Sequence, residues 1–374
     1  MVKKKSTKQI LLPHSRAKIS LYVKYLAVYL NILHRVDFIR KIYLFDLFAG
    51  EGIYEDGEKG SPIQTMETVK NHYFFNNKSC KDVDVLFNDF GNSDIEPERT
   101  KIDRVKEFVS KIFRPPNVNL YFSNSDYNNL FPQLIDQLNS LDESERALLF
   151  IDPWGYKDIK PNELKDLLDN RKTELILFLP ISFMYRFAEK AITENFRGGE
   201  ALEKFLAELF GGKIPDTTDA INFILSIKQR FKEFLNMRYI DTFTLRPDKA
   251  NVFCIFYFTH SKKGFEKMIH TKWKIDQEHG KGFEENPPLG LFDEIALSGY
   301  DEKLTDFIFN SDGRTNSEIT EFGYENGFLP TQSVDILKRL LKELRIERIS
   351  LDDKKVRSFY LGNQYRQILI KKKD

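Results

Sequence analysis

The sequence predicts an α/β fold in which a mostly parallel sheet is flanked by helices on both faces. The first observation behind this prediction is a set of apolar runs, each suited to one buried strand, that alternate with segments of helical periodicity. Buried parallel strands joined by crossover helices have this pattern. The runs lie at 42–47, 83–88, 118–122, 147–151 and 174–179.

The second observation is a pair of strand-like runs, 239–245 and 252–259, that close this series. Only residues 246–251 separate them, which is enough for an antiparallel hairpin but too short for a crossover. We therefore expect five parallel strands closed by one hairpin.

The helical segments have recognisable starts and periodicities. A first helix is expected over 15–33, where apolar side chains recur at helical spacing. A second begins at Ser61-Pro62, because serine is a favoured N-cap residue and proline fits the first helical turn. Two more are expected at about 97–113 and 130–140.

The domain organisation follows from where the strand signals stop. We expect a basic N-terminal segment and a helix in residues 1–40. The sheet domain is expected at 41–275 and a linker at 276–301. Residues 184–236 have helical segments but no strand signal, so we expect a helical insertion within the sheet domain. Residues 302–374 are expected to form a separate small unit.

That last unit has the sequence pattern of a winged helix. Two short helical segments precede a clearly amphipathic helix at 333–344. Strand-like residues at 346–349 and 358–361 follow, around a charged turn. Three helices and then a hairpin predict a winged-helix domain.

The composition narrows the classes of protein that this chain can belong to. A net charge of +1 creates no global field toward nucleic acid or membrane, so such binding requires local patches. No apolar run approaches the roughly 20 residues of a membrane span, and the basic start lacks the apolar region of a signal peptide. Cys80 and Cys254 make neither a disulfide framework nor a zinc site. We expect a cytoplasmic protein without a metal or a membrane.

The first candidate site is the turn after the first predicted strand. That strand ends at Asp46, and Phe48, Gly50 and Gly52 follow it. Glycines allow the backbone to turn sharply and to lie close against a nucleotide-like ligand. The fourth predicted strand has the same pattern, an apolar run that is followed directly by an aspartate, Asp152. The two motifs in this order suggest an enzyme that uses S-adenosylmethionine to methylate its substrate.

Each polar group of that cofactor needs a different partner. Asp46 is placed to hold the amino group, directly or through water, while Gly50 and Gly52 leave space for the methionine and the ribose; Phe48 is assigned to the same cofactor site. Asp89, at the tip of the second strand, is placed for the ribose hydroxyls.

Asp126 follows the third predicted strand and is assigned to the adenine amine of the cofactor. The alternative for both Asp89 and Asp126 is structural, since an aspartate after a strand is often a turn residue or a helix cap. The first helix adds Lys18, which could reach the carboxylate of the cofactor or a phosphate of the substrate.

Asp152-Pro153-Trp154 is the catalytic candidate. An exocyclic amine is hard to methylate because its lone pair is delocalised into the ring, and acceptors for its two hydrogens would localise that pair. Pro153 fixes the turn so that carbonyl groups can point inward. Trp154 would stack on the base, which is worth roughly 1–3 kcal/mol. The alternative is that Asp152-Pro153 only ends a strand and Trp154 packs in the core.

Several short segments of this sequence resemble the three-Cys-motif partner proteins (TcmP). Five parallel strands closed by a hairpin are also the arrangement of the Rossmann-like class I methyltransferases. The matching segments are Pro13 to Lys18, Asp46 to Tyr54, Glu58 to Ile63, Phe150 to Tyr156, and His260 to Gly264 with Met268 and Trp273.

The resemblance implies a methyltransferase-like protein that works with an iron–sulfur, radical-SAM-like protein bearing the three cysteines. More distantly, the segments are similar to bacterial 23S rRNA adenine-N6 methyltransferases, which have a glycine turn, a Gly-Ser-Pro segment and an Asp-Pro-Pro-Tyr loop. This chain has Trp154-Gly155 in place of Pro-Tyr, and Ile19 where the TcmP pattern often has histidine.

Three functions therefore remain open from the sequence. The first is an N-methyltransferase acting on an adenine-type exocyclic amine of RNA or DNA. The second is a non-catalytic, cofactor-binding partner of the three-Cys-motif iron–sulfur protein. The third is a regulator whose winged helix binds nucleic acid, although acidic residues dilute Lys338, Arg339 and Lys342 in its third helix.

Overall fold

The computed structural model describes residues 10–73, 80–153, 155–193, 199–213, 215–248, 250–277, 280–284, 298–351, 356–363 and 365–373. These residues fall into two compact units. The first unit lies within residues 1–264 and 283–285, and the second within 265–282 and 286–374.

The first unit is built on a sheet. Its strands are β1 (Lys41–Asp46), β2 (Asp82–Asn88), β3 (Val118–Ser123), β4 (Glu145–Ile151), β5 (Thr173–Leu179), β6 (Tyr239–Arg246), β7 (Phe253–Thr259) and β8 (Gly282–Glu284). Strands β1 to β7 occur close to the predicted positions, and β8 adds Phe283 and Glu284 of this unit and Gly282 of the second.

Helices connect these strands and extend the unit. They are α1 (Pro13–His34), α2 (Ser61–Asn71), α3 (Lys101–Ser110), α4 (Tyr127–Asn139), α5 (Pro161–Leu168), α6 (Ile181–Thr193), α7 (Glu200–Phe210), α8 (Ala220–Phe234) and α9 (Lys262–Ile275), whose residues from Phe265 onward belong to the second unit.

Within the described residues, the sheet has the order β3-β2-β1-β4-β5-β7-β6-β8. Strands β1 to β5 are parallel to one another, and β7 is antiparallel to both β5 and β6. The chain crosses from β3 back over β1 to β4, so the order reverses between β1 and β4. Ligands of open α/β sheets bind at the carboxyl ends of strands beside such a reversal.

The short strand β8 is the one difference from the predicted sheet among the described residues. It is only Gly282–Glu284 and has no apolar run of its own, so its sequence gives no strand signal. The predicted helical insertion corresponds to α6, α7 and α8, which lie between β5 and β6. Phe231 of α8 packs edge-on against Phe256 and Phe258 of β7, at centroid distances of 5.7 and 5.2 Å.

A buried polar cluster joins α1 to the sheet. The carboxylate of Glu174 in β5 accepts hydrogen bonds from Tyr25 of α1 at 2.6 Å and from Tyr257 and Thr259 of β7 at 2.7 and 2.9 Å. Buried polar groups are retained when they are paired, because an unpaired one loses its hydration without compensation. This cluster therefore fixes where α1 lies on the sheet.

The second unit contains further helices and a small sheet. After α9 they are α10 (Ser298–Phe309), β9 (Arg314–Thr315), α11 (Asn316–Glu325), α12 (Pro330–Lys342), β10 (Ile346–Ser350) and β11 (Ile368–Lys372). The sheet order is β10-β11-β9, with antiparallel pairing throughout its described residues.

The prediction of a strand at 358–361 is wrong. Tyr360 has a φ of +50°, which is a turn conformation, and β10 pairs instead with Ile368–Lys372. In that strand Ile368 and Ile370 are buried, so its apolar side chains alternate as a strand requires. The lysines that follow directly concealed this short alternation.

None of the helices in the described part of the chain combines the length and the apolar character needed to cross a bilayer.

Candidate functional site

A cavity of about 740 Å³ lies at the carboxyl ends of β1, β2, β4 and β5. Binding pockets for small molecules commonly have volumes of about 300–1,000 Å³. Gly50 and Asp152, which belong to the two predicted motifs, both line it. The first unit thus brings the two motifs to one cavity, as expected from the ends of parallel strands.

Six of the predicted site residues line this cavity, and three do not. Those that line it are Lys18, Phe48, Gly50, Asp89, Asp152 and Pro153. Asp46, Gly52 and Asp126 are absent from its lining. Trp154 lies outside the described residues, so its stacking role stays a prediction.

The Gly50 turn is held against Asp89. Gly50 has a φ of +68°, in the left-handed region that glycine adopts most easily. Its N–H donates to Oδ2 of Asp89 at 2.7 Å, and Lys101 of α3 donates to Oδ1 at 2.9 Å. A carboxylate has about four lone-pair sites, so Asp89 keeps acceptor capacity toward the cavity.

Glu51 turns away from the cavity and anchors the turn. Its buried carboxylate accepts from Ser93 Oγ at 2.7 Å, from the N–H of Asp94 at 2.6 Å and from Arg104 at 2.5 Å. A Cβ on Gly52 would lie 3.3 Å from Val105 of α3, in the same helix as Arg104. Gly52 therefore serves the close approach of the turn to α3, which differs from the predicted space for ligand.

Asp46 lies behind Ser61 and makes no surface of the cavity. Ser61 lines the cavity and donates from Oγ to Oδ2 of Asp46 at 2.6 Å. Oδ1 of Asp46 is buried and has no hydrogen-bond partner among the described residues. Burial raises the pKa of Asp46 to about 7; the Ser61 hydrogen bond opposes that rise, and the charges of Asp152 and Asp89 add to it.

Lys18 and Asp152 form an ion pair in the lining of the cavity. Lys18 Nζ lies 2.6 Å from Oδ1 and 2.5 Å from Oδ2 of Asp152, and 4.1 Å from the ring centroid of Phe178. Burial raises the pKa of Asp152, although the positive charge of Lys18 opposes this effect. The structure thus brings Lys18 to the catalytic candidate, a pairing that the sequence analysis did not predict.

Aromatic rings form the wall beside this ion pair. The ring of His14 stacks on Phe253 at 5.0 Å, and Phe253 stacks on Phe178 at 5.3 Å. Burial lowers the pKa of His14 to about 4, and the nearby Lys18 lowers it further against the opposing charge of Asp248. The imidazole is therefore neutral at pH 7.

Asp126 caps the helix α4. Its Oδ1 accepts from the N–H of Asn128 at 2.9 Å and from the side chain of Asn128 at 3.2 Å. This is the structural alternative considered for an aspartate after a strand. Its assignment to the cofactor stays a prediction without a cavity contact to support it.

Several residues of the cavity were not assigned by the sequence analysis. Tyr54 is one, because it closes the Gly50 turn: its hydroxyl would lie 3.3 Å from a Cβ on Gly50. Burial and the nearby carboxylates of Asp152, Glu51, Asp89 and Asp46 raise its pKa. Ser61 could have been found as the helix start that follows the Gly50 turn. Phe178 and Phe253 carry no local signal, since their periodicity is that of ordinary core strands.

The cavity is lined by both acidic and basic side chains, and Lys101 from outside the lining pairs with Asp89. The described lining includes the carboxylates of Asp89, Asp152 and Asp248 against the ammonium of Lys18. S-adenosylmethionine carries a sulfonium and an ammonium group against one carboxylate, so the donor set fits its charge. No group of three or more His, Cys, Asp or Glu side chains in the described ranges is arranged to hold a metal ion.

Leaving β8 aside, the order of the described strands, β3-β2-β1-β4-β5-β7-β6 with β7 antiparallel to both of its neighbours, is that of the class I methyltransferase fold. No protein-family model matches the sequence, and no curated protein matches it either. The resemblance to TcmP proteins therefore rests on the sequence motifs alone.

Several solved structures are similar to part of this chain, at low sequence identity. A DUF574 family protein from Streptomyces avermitilis is 10% identical, with 66% of this chain and 84% of that chain covered and a TM-score of 0.30. SCL7 from Oryza sativa is 9% identical, with coverages of 67% and 81% and a TM-score of 0.32. A proposed O-methyltransferase from Klebsiella pneumoniae is 12% identical, with coverages of 69% and 92% and a TM-score of 0.26. These TM-scores are too low to support a fold assignment, which therefore rests on the strand order alone.

Proposed function

We propose that this chain is an S-adenosylmethionine-dependent N-methyltransferase acting on an adenine-type exocyclic amine of RNA or DNA. The observation that carries the proposal is one cavity lined by the Gly50 turn, by Asp89 and by Asp152 at the switch point of a class I methyltransferase sheet. A cofactor and a substrate group can meet there because both motifs open onto the same space.

The cofactor is proposed to lie along the β1–β2 side of the cavity. Asp89 accepts the ribose hydroxyls, and Gly50 lets the backbone approach the ligand. Ser61 accepts a hydrogen bond from the ammonium group while its own hydroxyl donates to Asp46, so that Asp46 acts through Ser61. When bound, S-adenosylmethionine supplies an electrophilic methyl group on its sulfonium sulfur.

Asp152 is proposed to orient the target amine on the β4 side. Its carboxylate accepts a hydrogen bond from an amine hydrogen, which draws the nitrogen lone pair out of the ring. Pro153 has no N–H to compete for that acceptor. The wall of Phe178 and Phe253 excludes water from one side of the amine.

The test is transfer of a tritiated methyl group to total RNA and total DNA. We expect wild type to label one of them, and Asp152→Ala, which removes the acceptor, to reduce the rate about 100-fold or more. Lys41→Met is the matched control: Lys41 pairs with Asp84 at 2.7 Å, but at the start of β1 and away from the cavity lining. An inactive wild type on both substrates rules out the nucleic-acid target.

A second function is favoured by the Lys18–Asp152 pair. Both oxygens of Asp152 already contact Lys18. This arrangement is compatible with a protein that binds the cofactor but does not catalyse methyl transfer. We propose, as the alternative, a cofactor-binding partner of an iron–sulfur, three-Cys-motif protein. Calorimetry would then detect S-adenosylmethionine binding while methyl transfer stays absent until that partner is added.

The second unit is proposed to be a winged-helix-like domain that contacts nucleic acid. In support, α10, α11 and α12 precede the hairpin of β10 and β11. Against strong phosphate binding, Arg339 pairs with Asp301 and Lys338 lies 3.6 Å from Asp335. Gel shifts across a salt series test the proposal, because phosphate-driven binding weakens steeply with salt.

A further inference from the structure

The Lys18–Asp152 pair presents a hydrogen-bond donor beside an acceptor in the lining of the cavity. The two side chains are 134 residues apart in sequence and belong to α1 and to the residue after β4. Both line the cavity, and the side chains retain 9% and 19% of their accessible surface. A ligand in the cavity can therefore reach the ammonium and the carboxylate at once.

Each member of the pair has bonding capacity left for such a ligand. An ammonium has three N–H donors, and a carboxylate has about four lone-pair sites, so the pair uses only part of both. Within the described residues, Lys18 makes no hydrogen bond other than those to Asp152. Its position is fixed by burial and by the ring of Phe178, 4.1 Å from Nζ.

We propose that Lys18 is a substrate-recognition residue that, with Asp152, selects an N–H group next to a ring nitrogen. This inference rests on the proposed function and names the substrate class of the same site. Lys18 donates to the ring nitrogen while Asp152 accepts from the adjacent amine. Amino-heteroaromatic rings such as adenine and cytosine carry this edge.

The proposal differs from the predicted role of Lys18 as a ligand of the cofactor carboxylate. In that role the remaining N–H of Lys18 would donate to the cofactor carboxylate instead of to a ring nitrogen of the substrate. Phe178, Phe253 and Pro180 line the cavity beside the pair. A ring without the amine gives Asp152 no donor, and an amine without the neighbouring ring nitrogen gives Lys18 no acceptor. Leaving a buried polar group without a hydrogen-bond partner costs binding free energy.

Three small probes separate these features. 2-Aminopyrimidine has the complete edge, pyrimidine lacks the amine, and aniline lacks the ring nitrogen. Their affinities are measured by ligand-observed NMR on the full chain at pH 8 with S-adenosylhomocysteine present. We expect 2-aminopyrimidine to bind about tenfold more tightly than either of the others, the factor for one unmatched buried partner.

Substitutions of Lys18 and Asp152 test whether these residues cause the preference for 2-aminopyrimidine. Lys18→Met removes the donor, so the preference of 2-aminopyrimidine over aniline should fall to near unity, while Lys41→Met leaves it unchanged. Because Lys18→Met leaves Asp152 buried without its cation, Lys18→Met/Asp152→Leu is the second variant, since it leaves neither an unpaired charge nor a side-chain acceptor. It should lose the preferences over both aniline and pyrimidine.

Two results overturn the inference. One is equal binding of the three probes to wild type. The other is an unchanged preference in Lys18→Met together with weaker S-adenosylmethionine binding, which assigns Lys18 to the cofactor. Calorimetry with S-adenosylmethionine alone tests the proposed function separately. If S-adenosylmethionine does not bind but the preference for 2-aminopyrimidine persists, the proposed methyltransferase function is wrong and the recognition site remains.

Discussion

Asp46 is a buried carboxyl group that lies behind Ser61, which lines the cavity. With a pKa raised to about 7, mainly by burial, it is only partly ionised at neutral pH. Its folded-state pKa exceeds the ordinary aspartate pKa of 3.8, so its contribution to stability is fully present below about pH 4 and is lost as the pH rises through about 7. A cation bound at Ser61 would favour the ionised form.

We therefore expect the affinity for S-adenosylmethionine to increase about tenfold from pH 6 to pH 8, because binding requires Asp46 to lose its proton. Calorimetry in two buffers of different ionisation enthalpy should detect that proton release at pH 6.5. Asp46→Asn is the control and should remove both effects. An unchanged affinity between pH 6 and 8 in wild type contradicts the proposed role of Ser61 and Asp46.

At the residue scale, the sequence predicts positions better than partners. Asp89 and Asp152 could be placed at one cavity because they follow parallel strands, whose carboxyl ends share an edge. That Lys18 would pair with Asp152 depends on how α1 lies on the sheet, which Tyr25 and Glu174 determine through contacts distant in sequence. Such contacts leave no pattern in a local stretch of chain.

At the element scale, Gly264 allows α9 to begin against the buried carboxylate that anchors α1. A Cβ at this position would lie 2.6 Å from Oε1 of Glu174, 2.9 Å from the hydroxyl of Tyr257 and 3.0 Å from that of Tyr25. Real Cβ atoms do not approach other atoms this closely. A side chain here must therefore displace the cluster.

Gly264→Ala should lower the free energy of unfolding by about 1–3 kcal/mol, the usual cost of overpacking a filled site. Gly299→Ala is the matched control, since Gly299 is also helical but has no atom within 4 Å of the added Cβ. It should be neutral or slightly stabilising. Urea unfolding followed by circular dichroism measures both, and equal effects of the two changes contradict this account.

The glycine turn depends on α3 through Arg104. This buried side chain donates to the carboxylate of Glu51 and to the carbonyl oxygens of Glu51 and Ile53, at 2.5, 3.3 and 3.1 Å. Without it, Glu51 would keep a buried charge with no cation. The turn would then lose its connection to the helix.

Arg104→Met should cost about 3–5 kcal/mol in the free energy of unfolding, as the loss of one partner from a buried ion pair does. Glu51→Gln in the same chain should restore part of this loss by removing the unpaired charge. Lys111→Met serves as the control, because its pair with Glu107 is exposed and should matter by less than about 1 kcal/mol. Chemical denaturation would contradict the interpretation if Arg104→Met and Lys111→Met were equally stable.

Which elements could be predicted depended on how much apolar surface each buries. The core strands β4 and β5 are continuous apolar runs, and their buried side chains made them recognisable. By contrast, β11 has two buried isoleucines before a run of lysines, and β8 has only three residues. Short strands of this kind form because an existing sheet pairs with them, so their own sequences are weak guides.

At the scale of the whole molecule, the strand order and the cavity belong to one unit, and ligand binding should stabilise that unit. A ligand that binds only the folded state at 100 times its Kd adds about 2.7 kcal/mol to the free energy of unfolding. For a unit of this size, each kcal/mol raises the melting temperature by roughly 2–4 °C. Saturating S-adenosylmethionine should therefore raise the unfolding transition by several degrees in calorimetry of the full chain.

Two glycine variants show whether that shift comes from the cavity. Gly50→Ala and Gly57→Ala both place a side chain at positive φ, +68° and +81°, so each should lose about 1–2 kcal/mol through backbone strain. Only Gly50 lines the cavity at the carboxyl ends of the parallel strands. We expect Gly57→Ala to keep the ligand-induced shift and Gly50→Ala to lose most of it. If both variants keep the full shift, the cofactor binds elsewhere on the molecule, because a ligand against the Gly50 backbone cannot be indifferent to a methyl group there.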